Sequence, residues 1–125
     1  MRVMVIIRGN EESEAGIMPS EKLLNAMGKF NEELVNAGIM LAGEGLHPSS
    51  KAKRVKFSGG NRIVTDGPFA ETREQLGGYY LIDARDLDEA MSIAERIPVA
   101  KVGTIEIRPV LEIQGLPTQG SEVSL

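Results

Sequence analysis

Cysteine is absent from the 125-residue chain, and histidine occurs once, at His47. The first absence excludes disulfides, thiolate nucleophiles and cysteine-ligated zinc or iron–sulfur centres. The second leaves any histidine-rich metal site or Ser-His-Asp triad resting on one residue. No apolar run approaches the roughly 20 residues of a membrane-spanning helix, so no membrane partner is expected. The opening stretch Met1 to Arg8 is too short in apolar residues for a secretory signal and lacks a small-residue cleavage site, which makes a cytoplasmic location the expectation. Cations are outnumbered as well: 14 Lys and Arg against 18 Asp and Glu give a net charge of −4. Duplex-binding proteins concentrate basic residues in a stripe. The short cluster Lys51, Lys53, Arg54 and Lys56 reads instead as a solvated edge strand, and no nucleic-acid partner is expected.

What is present is ordinary for a globular domain, with 42% hydrophobic and 26% charged residues in a length that can bury a core without staples. Val3 to Ile7 is an apolar run bounded by arginines, predicting a strand buried on both faces. Residues 9–16 are polar and read as an exposed loop. From Pro19-Ser20 the period becomes helical: Leu23, Leu24, Met27, Phe30, Leu34 and Val35 share a face, and Gly38 suits a left-handed C-terminus. Gly28 inside that helix costs about 1 kcal/mol relative to alanine, which suggests a close approach to its face.

Residues 39–46 read as a second strand, whose alternation places Met40, Ala42, Glu44 and Leu46 together. A carboxylate among apolar neighbours is costly to bury alone. Glu44 therefore either reaches water at the strand end or lines a pocket. His47 follows in a loop broken by Pro48, as a simple loop side chain or as a general base with a pKa suited to proton transfer. Segments 54–58 and 62–65 alternate around Gly59-Gly60-Asn61, a hairpin signature, with Val55, Phe57 and Ile63 or Val64 predicted to face the core. A strand over 77–83 precedes a helix capped by Asp86, with Glu89 placed for a capping box. That helix presents Leu87, Ala90, Met91, Ala94 and Ile97 and stops at Pro98. The last strand runs over 103–111 with Ile105 and Ile107 inward. One domain over 1–112 and a polar tail over 113–125 are expected.

The order strand, helix, strand, hairpin, strand, helix, strand predicts an α+β fold, the ferredoxin-like β-α-β-β-α-β pattern with an inserted β-hairpin. Helices then cover one face of the sheet. Several strands are apolar on both faces, so the other face should be an interface, and a homodimer packed sheet to sheet is expected.

One stretch concentrates chemistry: Val64-Thr65-Asp66-Gly67-Pro68-Phe69-Ala70-Glu71-Thr72-Arg73-Glu74. An aspartate before glycine usually folds onto the N–H two residues later, but that residue is Pro68, which has none. Asp66 must turn to Phe69 or Ala70, to a basic side chain, or to a ligand. Pro68 can start a helical turn with Phe69 docked in the core, and Glu71 and Glu74 would then share a face.

Gly43-Glu44-Gly45-Leu46, the run from Asp66 to Glu74, Gly77-Gly78-Tyr79-Tyr80, Asp88-Glu89-Ala90 and Glu106-Ile107-Arg108-Pro109-Val110 together resemble the YCII-related family in its DGPF-domain branch. The resemblance implies a dimeric α/β-barrel of ferredoxin-like subunits. It implies little about function, although some members are encoded near extracytoplasmic-function sigma factors. A histidine–aspartate pair proposed in the wider family has its histidine on the first helix. No histidine lies between Pro19 and Gly38, so the pair is not carried over. A relative acts as a dehydrochlorinase of chlorinated hydroxyquinones, and without the helix histidine that activity is not transferred either.

Three readings of the motif stand side by side. In the first, Asp66 caps the turn while Glu71 and Glu74 pair with Arg73, Arg62 or Arg108. In the second, the chain is an acid–base enzyme of lyase or hydrolase type: Asp66 or Glu71 is the general base and His47 or Arg108 handles developing negative charge. In the third, it is a non-catalytic ligand-binding or interaction module, with Glu44, Asp66 and Glu71 as oxygen donors to an ion or with a sigma-factor partner. The candidate catalytic residues are Asp66, His47 and Glu71, and the candidate contacts to a small-molecule ligand are Glu44, Arg108 and Glu74. No cofactor is expected.

Overall fold

The computed structural model describes residues 1–70, 76–98 and 103–113. Strand β1 (Arg2–Arg8) is followed by a short helix α1 (Glu11–Glu14), the long helix α2 (Glu21–Asn36) and strand β2 (Met40–Gly45). A 3-10 turn (Ser49–Lys51) leads to strands β3 (Lys53–Ser58) and β4 (Asn61–Asp66). Strand β5 (Leu76–Asp83), helix α3 (Leu87–Glu95) and strand β6 (Ile105–Pro109) complete the described chain. The main sheet has the order β2-β5-β1-β6, with every pair antiparallel. That is the ferredoxin-like arrangement expected of the element order. Strands β3 and β4 form a separate two-stranded sheet.

The core lies between the sheet and its two long helices. Val3 and Val5 of β1 and Tyr80 and Ile82 of β5 meet Phe30 and Leu34 of α2, and Ala90, Ile93 and Ala94 of α3. Helix α2 starts where the Ser20 side chain accepts from the Leu23 N–H, and it ends before Gly38, whose φ is +71°. Phe30 stands edge-on to Tyr80, with ring centroids 6.3 Å apart. Fully burying an aliphatic side chain such as Leu34 contributes about 1.5–3 kcal/mol. Leu24 and Val35 stay exposed, because each sits one residue, about 100° of rotation, off the stripe through Met27, Phe30 and Leu34. Leu87 and Met91 of α3 are exposed in the same way. Asp86 caps α3 by accepting from the Glu89 N–H at 2.8 Å. The Glu89 carboxylate, however, reaches Arg85 rather than the cap residue.

Four expectations are corrected. Residues 11–14 are helical rather than loop, because Asn10 and Ser13 close a reciprocal capping box. Met40 does not share a face with Ala42 and Glu44: it pairs with Ile82 while Ala42 pairs with Leu81, and the extra residue Leu41 reverses the alternation. Met40 therefore packs against the core, whereas Ala42 and Glu44 face away from the helices, opposite Leu81 and Tyr79. A Cβ at Gly28 would meet nothing within 4 Å, so no close approach explains that glycine. The fourth concerns the hairpin. It turns at Gly59 and Gly60, with φ of +57° and +82°, as its sequence requires. Yet Val55, Phe57, Ile63 and Val64 are 48%, 76%, 49% and 46% exposed and take no part in the core. The turn at Ser49–Lys51 carries the chain off the sheet, and β3 pairs with β4 alone.

On the sheet face opposite the helices, Met4 and Ile6 of β1 and Tyr79 and Leu81 of β5 are half-buried. Glu106 sits on the same face, bonded to Arg8 at 2.7 Å and to Arg108 at 2.5 Å.

Candidate functional site

A concavity lies where α2 passes over the ends of β2 and β5. Gly43 and Gly45 of β2 and Gly78 of β5 point towards the helix side, with Gly45 directly opposite Gly78 and Gly43 opposite Tyr80. With no Cβ at these three positions, the floor is made of their backbone together with the Met40 and Tyr80 side chains. Leu24, Met27 and Asn31 of α2 and Pro19 form the roof, giving a groove of about 460 Å³. The floor is close-packed in part: a Cβ at Gly43 would run into Met40 Cε and lie 3.1 Å from the Tyr80 ring, and one at Gly78 would lie 2.8 Å from the Glu44 carbonyl oxygen. At Gly45 a Cβ meets nothing within 4 Å, so there the floor opens into the groove itself.

Two polar side chains converge on this apolar space. The Tyr80 hydroxyl donates to Asn31 Oδ1 at 2.5 Å. Burial pushes the Tyr80 phenol above its ordinary pKa, and the bond to Asn31 works in the opposite direction. With its one proton given to Asn31 Oδ1, the phenol oxygen can accept from a bound molecule, and the Asn31 Nδ2 can donate to one. Sequence reasoning did not single out this pair. The available signal was the recurrence of Gly43-x-Gly45 and Gly77-Gly78 on strands destined to pair, which removes side chains from one shared patch.

The residues expected to form a site are dispersed. Asp66 is 73% exposed and pairs with Lys53 Nζ at 2.8 Å, so a basic side chain takes the carboxylate that Pro68 cannot bind. The Phe69 N–H donates not to Asp66 but to Ser49 Oγ at 3.0 Å. Ser49 is the buried polar residue of the region; its N–H donates to Glu14 Oε2 at 2.9 Å and its hydroxyl to Glu14 Oε1. Phe69 is half-buried outside the core, with the Arg54 guanidinium 3.9 Å from its ring centroid. The Asp-Gly-Pro-Phe turn is therefore a structural joint tied to α1 through Ser49.

His47 is exposed and lines a different groove with Ile17, Met18, Pro48 and Lys51. Glu44 is exposed at the end of β2 and contributes to the rim of the glycine-floored groove. Arg108 is engaged by Glu106 on β6. Glu71 and Glu74 lie outside the described residues. Neither groove is lined by any residue from Asp66 to Ala70. Among the described residues no three His, Asp or Glu side chains are grouped to hold a metal ion. No helix among them is long and apolar enough to cross a membrane.

Comparison with known proteins adds a family and a fold. The YCII-related domain matches residues 1–114. An uncharacterised protein of Rhizobium meliloti (strain 1021) is 39% identical over 92 residues, which span 72% of this chain and 74% of that protein. Among solved structures, the 5-chloro-2-hydroxyhydroquinone dehydrochlorinase TftG of Burkholderia phenoliruptrix AC1100, in complex with 2,5-dihydroxybenzoquinone, aligns with a TM-score of 0.53. The alignment covers 91% of this chain and 97% of that one at 14% identity, a likeness of fold alone.

Proposed function

The chain belongs to the YCII-related family, and on that premise we propose that it binds a small, flat organic molecule in the groove between α2 and the glycine-floored ends of β2 and β5. One observation carries the reading: a floor left open at Gly45 faces Leu24 and Met27, with the Tyr80–Asn31 pair as its polar contact. Ligand sites are typically apolar clefts with a few placed polar groups. A planar ring can lie on bare backbone where a Cβ would hold it off. An acid–base enzyme is the second reading. The Asn31 amide, whose Oδ1 accepts from the Tyr80 hydroxyl, has its Nδ2 hydrogens to donate towards negative charge developing on a ligand oxygen. We also assign the chain to the DGPF-domain branch on Asp66-Gly67-Pro68-Phe69. The open sheet face around Met4, Ile6, Tyr79 and Leu81 is proposed as a homodimer contact that closes an α/β-barrel.

The test uses Gly45→Val, which fills the groove from its floor where the protein itself leaves room. Hydroxylated quinones and phenols, 2,5-dihydroxybenzoquinone among them, are screened by calorimetry and thermal shift. A ligand at one hundred times its Kd stabilises by about 2.7 kcal/mol. The expected result is binding to the wild type, at least tenfold weaker binding to Gly45→Val, and an unchanged ligand-free melting temperature. Equal binding by the variant would move the site elsewhere. Turnover lost in Tyr80→Phe while binding persists would establish the enzyme reading.

A further inference from the structure

We propose that the groove between the strap over 15–19 and the turn over 46–51 binds a small carboxylate with an apolar body, which lies on Ile17, Met18 and Leu46 while its charged end meets Lys51 and His47. The sequence builds the two walls separately. On one side the chain leaves α1 through Gly16, whose φ of +75° suits a residue without a Cβ, and the Ile17 N–H donates to the Glu12 carbonyl at 3.0 Å. On the other side the Lys51 N–H closes the 3-10 turn on the Pro48 carbonyl, also at 3.0 Å. Buried Ser49 bolts the walls together, since its N–H and its hydroxyl both donate to Glu14. The groove between them measures about 420 Å³, within the usual range of small-ligand sites.

Its apolar side chains are left without cover. Ile17, Met18 and Leu46 are 59%, 74% and 48% exposed, and all three border the groove together with Pro19 and Pro48. Apolar side chains gathered in water on a fixed backbone mark a binding surface.

The polar groups decide the charge of the occupant. Both oxygens of Glu14, the carboxylate in the lining, already accept from Ser49. The Ser13 hydroxyl accepts from the Asn10 N–H and donates to the Asn10 carbonyl. What stays open is Lys51, His47 and the Ser50 hydroxyl, none of which has a hydrogen-bond or ion-pair partner among the described residues. All three can donate, and Lys51 carries a full positive charge. One cation beside apolar side chains matches a monoanion with a hydrocarbon body, whereas a phosphate dianion would keep a charge uncompensated. The chain as a whole, at a net charge of −4, repels anions. Lys51, however, opens the basic run Lys51, Lys53, Arg54 and Lys56, so the field is locally reversed. This gives His47 a use that the acid–base reading does not.

The test follows backbone amide NMR shifts of the full chain during titration with octanoate, with octanol and inorganic phosphate as controls. Octanoate should shift the Ile17 and Lys51 amides saturably and leave that of Tyr80 unmoved. Lys51→Met should raise the octanoate Kd about fivefold, the upper range for an exposed ion pair, without changing the weaker binding of octanol. Ile17→Ser should weaken both. The two side chains are exposed, so the ligand-free melting temperature of either variant should match that of the wild type. Gly45→Val, which fills the other groove, should leave octanoate binding as it is. No saturable shift, an affinity for octanoate no higher than for octanol, or binding indifferent to Lys51→Met overturns the site. Phosphate bound as tightly as octanoate overturns it in favour of a bare anion site. Octanoate shifts centred on Gly45 and Tyr80 overturn it in favour of the glycine-floored groove. Retention on phosphatidylglycerol vesicles that is lost in Met18→Asp overturns it in favour of a lipid surface.

Discussion

Gly67 is pressed against the backbone of Ser49: a Cβ at position 67 would overlap the Ser49 carbonyl oxygen and lie 2.7 Å from its carbon. The obstacle is main chain, which cannot swing aside as a side chain does. Gly67→Ala should therefore destabilise by about 1–3 kcal/mol, the usual cost of forced overpacking. Gly28→Ala is the matched control. Its Cβ meets nothing within 4 Å inside α2, so it should stabilise by about 1 kcal/mol through helix propensity. Urea titration of the two variants checks both signs.

Ser49 is the other half of that joint. Its hydroxyl donates to Glu14 and accepts from the Phe69 N–H, and its own N–H also serves Glu14. Ser49→Ala leaves a partly buried N–H at Phe69 without its acceptor and removes one of two donors to the carboxylate. Losing a partner in this way costs about 1–3 kcal/mol. Amide hydrogen exchange should show the Phe69 N–H losing protection while that of Tyr80 in β5 is unchanged.

The pair of Asp66 with Lys53 predicts the opposite outcome. Both side chains are more than two-thirds exposed, and exposed pairs contribute about 0.2–1 kcal/mol. Asp66→Asn should move the urea midpoint within that range. Its effect should shrink further at 1 M salt, where the Debye length is about 3 Å. A melting temperature several degrees lower would show that Asp66 caps the turn after all.

The core was legible in the sequence in part, because periodicity reports burial: Val3 and Val5 of β1, Phe30 and Leu34 of α2 and the cap at Asp86 are found in the structure, whereas Leu24 and Val35 are exposed and the Met4–Ile6 face of β1 is only half-buried. The partner of Asp66 was also within reach, since counting outward from Gly59-Gly60 places Lys53 across from it. What local pattern could not supply is which sheet a hairpin joins. Val55 and Phe57 alternate as a core strand would, yet nothing within the hairpin records that β2 pairs only with β5. Leu41 reversed the faces of Met40 and Ala42 because a bulge is set by the partner strand. The groove was hidden for a related reason. Its floor is the absence of side chains at Gly43, Gly45 and Gly78, which becomes a shape only when β2 and β5 lie side by side.

Tyr80 offers a test of the groove that needs no ligand. Burial raises its phenol above the ordinary value of 10.0, so the folded protein holds this proton more tightly than the unfolded chain does. The sign follows from linkage: the stabilisation is complete below the unfolded pKa and is lost as pH rises through the folded one. Stability should thus decline from about pH 10 upward, and Tyr80→Phe should remove that part of the decline. At neutral pH the same variant loses the bond to Asn31 and should be less stable by about 1 kcal/mol. Tyrosinate absorbance followed from pH 8 to pH 12 in both proteins isolates the Tyr80 component as a difference. A Tyr80 component titrating at or below the ordinary phenol value would mean that water already fills the groove around the hydroxyl.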